Sequence, residues 1–223
     1  MIPENKNAVL RSGLLLVAML TGGCSLLAEK PPVTIHTLKP AVLAAANSAE
    51  KVEWQLAVDR VRGSELLETP RILVMPEPGE FQVYPQAQWS DPPLYLVGAL
   101  AMRALQHDGR ILGISPSGEG LSADVELRLE LTDFQIELTS EGTHAHVAWQ
   151  ASLAAVTQNR IVATRHFSTR TPAAGQSAKD AVTAFDTALS QLLPQLTEWV
   201  VQRGQAHWDA QLERGSNASD ENP

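Results

Sequence analysis

Apolar positions alternate with polar ones in some stretches of the chain and recur every three to four residues in others. The two periods separate strands from helices. Val33-Thr34-Ile35-His36-Thr37-Leu38 is rich in β-branched residues and predicts a first strand, and Val52 to Val61 alternates as a second. Two short runs, Arg71 to Met75 and Glu80 to Tyr84, flank Pro76-Glu77-Pro78-Gly79, which is turn chemistry at the tip of a hairpin. After Trp89-Ser90-Asp91-Pro92-Pro93, the residues Leu94, Val97, Leu100, Ala101, Ala104 and Leu105 keep helical spacing. Ser90 or Asp91 is the expected cap of that helix, and Asp108-Gly109 its end. Residues 115–120 read as a loop.

The second half alternates more regularly. Val125, Leu127, Leu129 and Leu131 share one face; Phe134, Ile136 and Leu138 continue on the opposite parity. A one-residue phase shift near Thr132-Asp133 therefore predicts a β-bulge. Strands over about 143–157 and 160–169 follow, joined at Gln158-Asn159. Ser177 with Asp180 three positions on resembles a capping box, and Ala181, Phe185, Leu189, Leu192, Leu196 and Trp199 form the stripe of a closing helix. Pro194 removes a bond to Ser190 and is expected to kink it. Beyond Gly204 the polar residues 205–223 read as a disordered tail. The order of elements predicts an α/β fold: a single domain over residues 33–204 with a mixed, largely antiparallel sheet covered by helices.

The N-terminus follows a different logic. Lys6 and Arg11 precede the apolar run Gly13 to Leu20, and small residues follow in Thr21-Gly22-Gly23-Cys24. A basic start, a greasy stretch too short to span a bilayer and small residues before a cut site make a secretory signal peptide. Leu20 to Ser25 resembles the lipobox of bacterial lipoproteins, with Thr21 in the slot where leucine is usual. The resemblance implies a signal peptide over 1–23, cut ahead of Cys24, and lipidation of the Cys24 thiol and amine. A free structural thiol is the alternative. Ser25 after the cysteine, rather than aspartate, implies sorting to the outer membrane, facing the periplasm. Residues 24–32 would then be a lipidated tether ending in Pro31-Pro32.

Composition narrows the function classes. The 223 residues are 44 % hydrophobic and 19 % charged, a globular balance. The net charge is −8, and loss of Lys6, Arg11 and Glu4 on processing takes it to −9. Such a body repels phosphate backbones, which argues against nucleic acid as a partner, and it gains nothing electrostatically from an anionic membrane. Cys24 is the single cysteine, so neither an intrachain disulfide nor a multi-thiolate zinc site can form.

Candidate chemistry is sparse. Gly113-Ile114-Ser115-Pro116 lacks the second glycine of a nucleophile elbow and has proline where a backbone donor is needed. His144-x-His146 puts two imidazoles on one side of a strand with no third ligand at metal spacing, and reads as solvent-facing. Asp59, Asp91, Asp124 and Asp133 are scattered and read as solvated or capping carboxylates. No catalytic, cofactor-binding or metal-binding residue is assigned, and no cofactor is expected. Trp89, Trp208 and Tyr95 are candidate exposed aromatics that the sequence does not separate from core residues.

Several pieces in order resemble the ABC-type transport auxiliary lipoproteins, the family that includes PqiC-like periplasmic proteins. These are Thr37-Leu38, Leu56 to Val61, Leu66 to Pro70, Arg71 to Val74, Tyr84 ahead of Trp89 to Pro93, Leu129 to Phe134, Arg165-His166-Phe167 and the helix Ala184 to Trp199. His36, where the family often has tyrosine, and the Ala-rich stretch 40–49 depart from the pattern. The resemblance implies a non-catalytic lipoprotein that assists an ABC permease and ATPase and an MCE-domain substrate-binding protein in moving lipids or other hydrophobic compounds between membranes. It also implies that some members assemble into homo-oligomeric rings. A lipid-anchored envelope enzyme or an inhibitor-type binding protein is the alternative.

Overall fold

The computed structural model describes residues 32–41, 50–119 and 122–220, with side chains through Asn217. The signal peptide and Cys24, like most of the Ala-rich stretch 40–49, lie outside the described residues. The chain divides into Met1–Pro32 and a body, Val33–Pro223.

Strand β7 (Val125–Thr139) is the axis of the body. Its alternation puts Val125, Leu127, Leu129 and Leu131 in the core, and the register slips between Leu131 and Asp133 where the phase changes. Past that bulge Phe134 and Ile136 take over the core face. On one edge, β7 pairs antiparallel with β8 (Gly142–Ala155), and β8 pairs antiparallel with β9 (Arg160–Pro172). Asn159 supplies the left-handed backbone of the β8–β9 turn, with φ of 45°.

The other edge of β7 is filled by one interrupted strand. Its pieces β2 (Leu56–Val58), β3 (Arg62–Gly63) and β4 (Arg71–Met75) all run parallel to β7. A 3₁₀ turn, Glu65–Glu68, separates the last two. β4 turns back into β5 (Gln82–Trp89), the expected hairpin, and β5 pairs parallel with β1 (Thr34–His36). β6 (Ile114–Pro116) lies parallel beside β2. The sheet is thus mixed: its long ladders are antiparallel, and its short ones, apart from the β4–β5 hairpin, are parallel.

Helix α1 (Pro93–Asp108) and helix α2 (Ala178–Asp220) pack against each other and share one hydrophobic core with the sheet. α1 starts at Pro92-Pro93 without a side-chain cap: Pro92 stands at the cap position and has no side-chain acceptor, and Pro93 has no donor to satisfy, so the expected Ser90 or Asp91 cap does not form. Gly109, with φ of 75°, ends it. Arg110 bonds Asp108 at 2.6 Å and Glu198 of α2 at 2.8 Å, pinning the two helices together at that end. In α2 the capping box forms: Ser177 Oγ accepts from Asp180 N, and Asp180 Oδ2 accepts from Ser177 N, each at 3.2 Å.

The structure corrects the C-terminal boundary. Residues 205–220, expected to be a disordered tail, continue α2 without a break. Gly204 does not end the helix because the Trp54 ring lies against it where a side chain would stand, and Trp54 Nε1 donates to Gln205 at 3.1 Å. Beyond it Gln205 and Asp209 pair one turn apart at 2.8 Å, and Arg214 Nε donates to Ala210 O.

Candidate interaction groove

Between β2 and β3 the interrupted strand leaves β6 behind. Ser117 N donates to Val58 O at 2.9 Å, the last bond on that side, and Pro116 before it has no donor to extend the ladder. From there to Gly63, among the described residues, β7 pairs one edge and no strand pairs the other. Helix α1 approaches this stretch closely: a Cβ on Gly63 would stand 2.8 Å from Leu94 Cδ2, and one on Gly98 would stand 3.3 Å from Val61 Cγ2. The result is a groove of about 710 Å³ between the backbone of residues 58–63 and the outer flank of α1.

Its helix wall is Leu94, Tyr95, Gly98, Ala99 and Met102, and Tyr95 is 64 % exposed. Its floor carries Asp59, Arg60, Val61 and Arg62. Asp59 Oδ2 accepts from Arg62 at 3.0 Å, and its Oδ1 accepts from Arg60 N at 2.8 Å. Arg60 has no carboxylate partner among the described residues, and nearby Arg103 bonds only Ala99 O of its own helix. Glu68 lines the same groove, so its two arginines, Arg60 and Arg62, stand against two carboxylates, Asp59 and Glu68.

A second polar cluster lies on the sheet face away from the helices. The bulge turns Asp133, Gln135 and Glu137 outward, opposite His146 of β8 and Arg170 of β9. His146 Nδ1 donates to Glu137 Oε1 at 2.8 Å, Arg170 Nε donates to Glu137 Oε2 at 2.8 Å, and Ser168 Oγ lies 3.2 Å from His146 Nε2. Burial pushes the Glu137 carboxyl up, but Arg170 and His146 outweigh it and hold the group below the ordinary glutamate value.

The sequence candidates fall out as follows. His146 is buried in an ion-paired cluster, correcting the expectation that it faces solvent; only its cross-strand neighbours explain this, and the sequence does not pair them. Trp89 is wholly buried against Phe134 and Phe185, so it is no surface aromatic, whereas Tyr95 is exposed in the groove and Trp208 packs at the core margin. Ser115 is buried in β6. Asp124 Oδ2 caps Gln55 N at 2.8 Å. Among the described residues no group of three or more His, Cys, Asp or Glu side chains could hold a metal ion, and no helix is long and apolar enough to cross a membrane. The groove residues Arg60, Arg62 and Met102 were not singled out from sequence. The available signal was Tyr95, Ala99 and Met102 at helical spacing, off the stripe that enters the core.

The model of the family described as ABC-type transport auxiliary lipoprotein component matches residues 36–197. A crystal structure of protein XCC0632 from Xanthomonas campestris, of family DUF330, superposes with a TM-score of 0.74 and 26 % identity, covering 79 % of this chain and 99 % of that one. A second crystal structure, of an uncharacterized protein, gives a TM-score of 0.59 at 12 % identity over 76 % of this chain and 99 % of that one, a likeness of fold alone. No curated protein matches the chain.

Proposed function

The chain belongs to the family of ABC-type transport auxiliary lipoprotein components, and from that premise we propose that it is an adaptor tied by Cys24 to the periplasmic face of the outer membrane. There it docks the MCE-domain component of an ABC system that carries lipids or other hydrophobic compounds between membranes, without catalysing a reaction itself. The observation that carries this reading is the family match over residues 36–197, nearly the whole body.

Three features support it. The leader ends in Gly22-Gly23-Cys24-Ser25, the pattern of a lipidated cysteine followed by a residue that does not retain the protein at the inner membrane. One acyl chain holds a protein only marginally, while two or more anchor it stably, each buried methylene contributing about 0.8 kcal/mol. A body of this charge needs such an anchor to stay at an anionic surface. The groove, finally, offers backbone, apolar side chains and surface charges of both signs, which suits contact with a partner.

Anchoring is tested by replacing Cys24. Cys24→Ala moves the protein out of the outer-membrane fraction, as soluble or unprocessed chain, and the mass of the wild-type N-terminal peptide shows the added acyl groups. Unchanged fractionation of the variant overturns the anchor. Docking is tested by binding the periplasmic part of the MCE-domain protein encoded in the same host to the processed wild-type chain at micromolar concentration. Sedimentation of the same sample reports whether copies assemble into a ring.

A further inference from the structure

Ten large hydrophobic side chains stand exposed among the described residues, and five of them gather at one end of the sheet. These are Val33, Ile35, Leu66, Phe81 and Val83, each between 41 and 63 % exposed. The register puts them on one face. Trp89 of β5 points into the core, so Gln88 before it points away, and with it its partners Ile35 on β1 and Arg71 on β4. Val33 continues the side of Ile35 two residues earlier, and Arg71 lines one open cavity of about 650 Å³ with Leu66, Phe81 and Val83. Single exposed apolar residues are ordinary on a protein surface, but a contiguous group of them marks a contact.

The chain that leads into this patch points to what covers it. β1 ends the strand order, and Val33 directly follows residues 24–32, read above as the lipidated tether. From Cys24 to Val33 the chain reaches at most about 30 Å when fully extended. A tether that short keeps the patch at a high effective concentration beside the leaflet, so a contact too weak to bind alone decides which face turns toward the lipid. Charge adds no attraction: Arg71 stands within the patch, Glu65 lines the same cavity and Glu80 precedes Phe81 in the chain. The fit is therefore to a zwitterionic surface through apolar contact. The open backbone edge of β1 needs water, which limits the depth to the boundary between headgroups and acyl chains. We infer that the face formed by Val33, Ile35, Leu66, Phe81 and Val83 rests on the phospholipid leaflet that holds the anchor and so fixes how the body stands on the membrane. This rests on the anchoring through Cys24 proposed above.

The test places a nitroxide on one introduced cysteine, Ile35→Cys, Phe81→Cys or the control Leu112→Cys, in the processed chain reconstituted into phosphatidylcholine vesicles. Cys24 is the only native cysteine, and its acylated thiol does not take the label. Leu112 is 70 % exposed and precedes β6, at the other end of the strand order. All three positions are on the surface, so the variants keep the fold, which circular dichroism verifies. Relative to the control, the labels at positions 35 and 81 should collide several-fold less with a water-soluble nickel chelate and several-fold more with lipid-soluble oxygen. A label on Val83→Cys should behave as they do, and should become as accessible as the control when Ile35→Glu and Phe81→Glu are added, while the chain still floats with the vesicles. Equal accessibility at positions 35, 81 and 112 overturns the inference, and if the chain floats nonetheless, the anchor stands. Shielding from nickel without a gain in oxygen means that a second copy covers the patch, which also overturns it. A chain that carries no acyl group and does not float removes the anchor itself, and this inference with it.

Discussion

Glu137 and His207 each leave a signature in acid. Glu137 accepts bonds from His146 and Arg170, which hold its folded pKa below that of the unfolded chain. A depressed carboxylate contributes stability that is complete above the ordinary glutamate range and is lost as pH falls through the folded value. His207 is also depressed, first by burial and then by Arg160 and Arg214. It resists protonation that the unfolded chain accepts near pH 6.5, so stability falls as pH drops below about that value. Urea denaturation at a series of pH values should therefore show two downward steps on acidification. His207→Gln removes the upper one. Glu137→Gln flattens the lower one and costs about 1–3 kcal/mol at neutral pH, because Arg170 and His146 lose a charged acceptor. The outward position of Glu137 was legible in the alternation of β7, but its burial was not: it depends on Arg170, which is 33 residues away in sequence.

At the scale of elements, the bulge was the most legible feature and the end of α2 the least. The switch from Leu127, Leu129 and Leu131 to Phe134 and Ile136 is a change of parity, and parity is written in the sequence. Phe134→Ala should remove the stack with Phe185 that this change of parity creates, at 4.4 Å between ring centroids. The expected outcome is a loss of about 3–5 kcal/mol, as for removing a buried aromatic, read from the denaturation midpoint. Helix α2, by contrast, passes a glycine that local rules treat as a stop signal. Its continuation is decided by Trp54, 150 residues earlier in the chain, whose ring needs the space a side chain would fill. Gly204→Leu should displace that ring, destabilise the fold by about 1–3 kcal/mol and change the near-ultraviolet circular dichroism of the tryptophans.

At the scale of the molecule, the family and the α/β class could be read from the order of short motifs, while the groove could not. It exists because β2, β3 and β4 form a broken strand against one long partner, and the break shows only when the pieces lie side by side. Single-residue patterns give the faces of strands, but not which neighbour is missing from an edge. The same arrangement sets an order of events. Leu56 finds its place beside Val125, Arg62 beside Glu130 and Val74 beside Ile136, so these three pieces, two of which pair β6 and β5 on their other side, join into one sheet only when β7 has emerged. Contacts so remote in sequence close late. A polypeptide emerging from its N-terminus thus carries separate pieces of sheet for more than a hundred residues and closes them into one body when its keel arrives.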